Sequence, residues 1–116
     1  MQEKAEALKP ILSLIGKSEK ALQKVAAGTW QHAMLGANLK ALHIAAALMK
    51  GDQDAFSRLA PDEQKSALQS LASMIGKTEQ AQSRFAAGTP QRTLLKNRLH
   101  ALRAAELLVC EAGETT

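Results

Sequence analysis

Tyrosine is absent from this chain, and tryptophan, phenylalanine and cysteine are nearly so: Trp30, Phe56, Phe85 and Cys110 are the whole complement. With aromatic and β-branched residues this scarce, a sheet has little from which to build its core. A single cysteine excludes an intramolecular disulfide and a cysteine-based zinc site, so Cys110 reads as a packed or idle thiol. No apolar run approaches the roughly 20 residues that a membrane span needs, so no membrane role is expected. The opening MQEKAEALK is charged and no apolar stretch follows it. A secretory leader is therefore not expected, and a reducing cytoplasm is the expected setting.

Alanine, leucine, isoleucine and methionine are what remain within an apolar fraction of 46%. These are good helix formers with small or straight side chains. A chain of 116 residues suits one domain that buries roughly two thirds of its unfolded surface. Residues 1–116 are therefore expected to form a single all-α domain.

The tetrapeptide AAGT occurs twice, at Ala26–Thr29 and at Ala86–Thr89. Each copy carries a glycine suited to ending one helix in the left-handed region and a threonine suited to capping the next. Shifted by sixty, residues 1–49 align without a gap on 61–109, with 20 of 49 positions identical. The best-matched block is IGKSE at Ile15–Glu19 against IGKTE at Ile75–Glu79. This is the pattern of a duplicated helical hairpin, and two copies are expected to close on each other as a four-helix bundle. Residues 50–60 are the linker between the two tandem, antiparallel hairpins.

Apolar spacing of three and four sets the helices. The first spans roughly residues 3–26, on Leu8, Ile11, Ile15, Leu22 and Val25; Pro10 is expected to kink it or to mark its proper start. The second runs from Thr29 to about Met49, on Leu35, Leu39, Leu42, Ala45 and Met49. The third covers roughly 61–86, with Pro61 at its first position and Asp62 and Glu63 at the positive end of its dipole. The fourth runs from Thr89 to about Cys110. In the linker, Phe56 and Leu59 suggest a short turn covering one end of the bundle, and the final AGETT is expected to be loose.

IGKS and IGKT end as a phosphate-binding loop ends, but Ile11 and Leu71 stand where that motif requires its first glycine, and no strand precedes. Gly16 and Gly76 are instead read as places where a neighbouring helix comes close. Ser18 and Thr78 are expected to bond the carbonyl one turn back. Phe85–Leu99 has the outline of a helix-turn-helix. Arg84 falls where that module places a small residue and Asn97 where it places an apolar one, and a plain helical hairpin accounts for the same residues. His32, His43 and His100 show no ligand spacing and read as surface residues. No catalytic set is recognisable, so no enzyme activity, metal or cofactor is expected.

Charge is distributed unevenly. Residues 16–43 carry +3 and residues 76–103 carry +5, which leaves −4 for the rest of a chain whose total is +4. Because the end of each hairpin's first helix lies beside the start of its second, both basic blocks are expected near the AAGT turns. Helix dipoles favour Lys24 and Arg84 at helix ends, but not Arg92 and Lys96 in a first turn. Arg92, Lys96, His100 and Arg103 follow one helix face. Lys40, Lys77, Arg84, Arg92, Lys96 and Arg103 are thus the candidate anion-binding residues, against the plainer reading of a solvated face. No aromatics are interleaved to stack on bases.

Trp30, aligned with Pro90, is expected to pack on the linker or the opposite hairpin; an exposed Trp30 would instead be a candidate protein contact. Ala45, Ala46 and Ala47 are small on every side and would admit a helix from outside the four-helix core. The chain is accordingly expected to be a non-enzymatic interaction or regulatory protein, binding itself, as a homodimer, or a protein partner through helix faces. The alternative is a nucleic-acid or polyanion binder that uses the basic stripe. A further alternative is a small-molecule binder with a pocket between the hairpins, near the polar positions Ser18, Thr78 and Gln82.

Overall fold

The computed structural model describes residues 2–114. Four helices follow one another: α1 (Gln2–Lys24), α2 (Trp30–Met49), α3 (Pro61–Gln82) and α4 (Pro90–Glu114). No strand occurs among the described residues. Both AAGT turns adopt the same geometry. Gly28 and Gly88 each have φ of 88°, a region that side-chain-bearing residues adopt only at a steric cost. Thr29 Oγ1 accepts the His32 N–H at 3.2 Å and donates to the Ala26 carbonyl at 2.7 Å. Thr89 Oγ1 does the same with the Arg92 N–H at 3.3 Å and the Ala86 carbonyl at 2.9 Å. Each threonine therefore satisfies an orphan donor of the new helix and an orphan acceptor of the turn.

α2 ends differently. Gly51, with φ of 101°, donates to the Leu48 carbonyl at 3.1 Å, and Asp52 donates to the Ala47 carbonyl at 2.9 Å. This pair of bonds is a Schellman closure. The linker then folds into turns held by the Asp52–Arg58 ion pair at 2.6 Å. Gln64, from the first turn of α3, donates to the carbonyls of Phe56 and Leu59 at 3.1 and 3.3 Å. Phe56, 2% exposed, caps the core. At the start of α3, the Glu63 carboxylate accepts the Ala60 N–H at 3.2 Å. This is half of a capping box, because Ala60 has no side-chain acceptor to return the bond.

Several boundaries differ from those the sequence suggests. α1 continues through Pro10 from Gln2, so Pro10 does not start it. α1 and α3 stop at Lys24 and Gln82, before the AAGT blocks, where the chain begins its turn. α4 continues through Ala112 and Gly113 to Glu114, so this part of the tail is not loose. A Cβ on Gly113 would lie 3.2 Å from the Phe56 ring, which places the last turn of α4 against the linker. Residues 115 and 116 lie outside the described residues.

α2 and α4 form the central pair, and each touches all three other helices, whereas α1 and α3 do not meet among the described residues. Ala41, Ala45, Ala101 and Ala105 are all buried, and small side chains at successive turns allow two helices to pack closely. Ala45 and Ala46 are thereby enclosed within the molecule, whereas Ala47 is half-buried. The molecule measures 42 × 39 × 19 Å. It is two helices thick and about twice as wide as four aligned helices would be.

The width follows from where burial falls. Among the described residues, the buried helical side chains are Ala7, Ile11 and Ile15 of α1, Leu39, Ala41, Leu42, Ile44, Ala45, Ala46, Leu48 and Met49 of α2, Ala67, Ser70 and Leu71 of α3, and Leu99, Ala101, Leu102, Ala105 and Val109 of α4. The halves that flank the AAGT turns contribute none. They project beyond a core built from the opposite halves.

Candidate functional site

The six cations singled out by sequence have different partners. Lys40 pairs with Glu63, at the start of α3 and away from its own AAGT turn. Arg103 pairs with Glu79 at 2.8 Å and so ties α4 to α3. Arg92 turns back, and its guanidinium donates to the Phe85 carbonyl at 2.8 Å. Its place in the first turn of α4, unfavourable to the dipole, is thus partly explained by a bond that closes the second turn. Lys77 Nζ lies 3.2 Å from the Met34 sulfur, a weak acceptor. Arg84 and Lys96 are exposed and make no ion pair with the described residues. The expected gathering of both basic blocks at the turns is therefore only partial, because Lys40 belongs to the mouth of α3. Around Lys96, His100 and Arg103 a shallow groove remains, with Gln82 on its far wall.

Glu63 is the titratable group whose environment is most clearly perturbed. The hydrogen bond from Lys40 holds its carboxyl below the ordinary value, helped by the Ala60 N–H and by the Lys40 charge. This ion pair sits on the wall of a small cleft of about 160 Å³ between α2 and α3.

Trp30 is not packed. It is 74% exposed on the first turn of α2, because that half of the hairpin extends past the core and places neither the linker nor the other hairpin over it. Phe85 and Leu94, at 37% and 48%, are the exposed large apolar residues of the corresponding part of the second hairpin.

The helix glycines also differ from expectation. No side chain or backbone lies within 4 Å of where a Cβ would stand on Gly16, Gly36 or Gly76. Gly16 and Gly76 therefore do not mediate a close helix approach in this chain. Thr78 does bond the Met74 carbonyl one turn back, at 2.7 Å.

Comparison with family models, with curated proteins and with solved structures finds no match. Among the described residues, no three His, Cys, Asp or Glu side chains are grouped to hold a metal ion, and no helix is long and apolar enough to cross a membrane.

What sequence reading missed is the groove between α1 and α4, about 440 Å³, with Lys9 and Arg98 on its walls. Neither residue belongs to the periodic stripe. Lys9 lies between the buried residues Ala7 and Ile11 of α1, and Arg98 lines this groove without Arg92 or Lys96. The available signal was their divergence from the positions sixty away, Gln69 and Asn38.

Proposed function

We propose that this chain is a non-enzymatic interaction or regulatory protein that binds a protein partner, a second copy included, through the helix faces beside the AAGT turns. The observation that carries the proposal is Trp30, exposed at the tip of a projecting hairpin. Tryptophan is the residue most enriched at binding hot spots, and leaving one in water forgoes a large apolar burial. The same proposal takes the architecture as two tandem copies of one hairpin. In support are the gapless offset of sixty and the matching glycine φ and threonine bonds of the two turns. A cytoplasmic setting goes with it, on the single cysteine.

The test is sedimentation velocity over a wide concentration range, with Trp30 emission followed in parallel. Self-association through this face gives a mass that rises with concentration and an emission that shifts to shorter wavelength. Trp30→Ala should abolish the concentration-dependent rise in mass. A monomer at every concentration removes the homodimer and leaves a different protein as partner.

A nucleic-acid or polyanion role is the second reading, supported by exposed Arg84 and Lys96 and by the groove that Lys96 shares with Arg103. It requires binding that weakens steeply with added salt and is lost on joint Arg92→Glu and Lys96→Glu substitution.

A further inference from the structure

We infer that the groove between α1 and α4 is a binding site for a small organic anion carrying an apolar body. Its volume of about 440 Å³ lies within the range that ligand sites occupy. Pro10 and Leu94 provide apolar surface, Lys9 and Arg98 bring positive charge and donors, His100 adds a hydrogen-bonding ring, and Glu6 is the carboxylate among the described lining residues. Among the described residues, the side chains of Lys9, Arg98 and His100 make no hydrogen bond or ion pair. Lys9 and Arg98 outnumber Glu6 among the described lining residues, and a bound anion offsets that excess of positive charge.

The cleft between α2 and α3 supplies the contrast. His100 stands sixty positions after Lys40, Arg98 after Asn38, and Gln69 after Lys9. In that cleft Lys40 is already neutralised by Glu63, and the space is about 160 Å³. The smaller cleft carries an ion pair on its wall, whereas Lys9 and Arg98 of the larger groove make no ion pair with the described residues.

Length selects the class of ligand. The groove runs from Glu6 to Ser13 on one wall and from Leu94 to Ala101 on the other, about 10 Å of helix on each side. That accommodates a small molecule and falls short of the several turns a docked helix would lay down. The site uses neither Trp30 nor the turns, so it stands or falls independently of the protein-contact proposal.

The experiment is amide chemical-shift titration of the isotope-labelled full chain with naphthyl phosphate, alongside inorganic phosphate, naphthol and an acidic helical peptide. Naphthyl phosphate should give saturable shifts confined to residues 7–13 and 94–101, with the two half-ligands binding more weakly. Arg98→Gln and Lys9→Gln should each weaken binding by about tenfold or more, the loss expected when a charge-assisted hydrogen bond is removed. Both variants should retain the native helical spectrum. The inference is overturned if there is no saturation into the millimolar range. It is equally overturned by shifts spread over Arg84, Lys96 and Arg103, by undiminished binding in both variants, or by a response to the peptide alone.

Discussion

A glycine inside a helix costs about 0.5–1 kcal/mol relative to alanine, and nothing around Gly16 or Gly76 offsets that cost. Both sites are helical and have open space where a Cβ would stand. Gly16→Ala and Gly76→Ala are therefore expected to raise the free energy of unfolding by about 0.5–1 kcal/mol each, read from urea titrations. Gly28 and Gly88 have equally open surroundings but a φ of 88°. Alanine there should cost about 1–2 kcal/mol, the penalty of a left-handed backbone. Equal responses at all four positions would contradict the assigned backbone geometry. Trp30 allows a second check at this scale. As the one tryptophan, and exposed, it should be readily quenched by acrylamide in the native monomer and change emission little when the monomer unfolds.

The linker and the start of α3 behave as one element, because Phe56 seals the core and Gln64 satisfies the carbonyls on either side of it. Phe56→Ala is expected to destabilise the protein by about 3–5 kcal/mol, the usual loss for a buried aromatic in a packed site. A loss below 1 kcal/mol would mean that the linker is not seated. At the mouth of α3, Lys40 lowers the carboxyl pKa of Glu63. A carboxyl whose pKa is lower folded than unfolded adds stability above its unfolded value, and that stability is lost as pH falls through the folded value. Lys40→Met should raise the Glu63 titration toward the ordinary carboxylate range, as followed by side-chain carbon shifts, and should flatten the acid limb of the stability curve. An unchanged titration would show that the pair is not populated. This pairing was not legible in the sequence, where Lys40 and Glu63 lie far apart and on different helices. The two turns were legible, because glycine and threonine determine them from within four residues.

Over the whole molecule, the apolar stripes locate the helices but do not say how far along each helix the stripe is used. Leu22 of α1 continues the apolar stripe of Ile11 and Ile15, yet only the latter two are buried. Periodicity reports a face, and burial depends on which partner lies opposite it, which follows from how the four helices pack. The result is a protein with two unequal halves. Amides in Leu39–Met49 and Leu99–Val109 lie in the shared core, where hydrogen exchange should require global unfolding. Those at 17–24, 30–35, 77–82 and 90–95 belong to helices equally regular but without a fully buried side chain, so local opening should expose them. Exchange measured by mass spectrometry should accordingly show two rates within each helix, with the boundary near Ile15, Leu39, Leu71 and Leu99. Uniform protection along the helices of the isolated chain would contradict the division. Protection that spreads into the projecting halves only as protein concentration rises would instead identify them as the surface that a second copy covers, because binding suppresses local opening where contacts form.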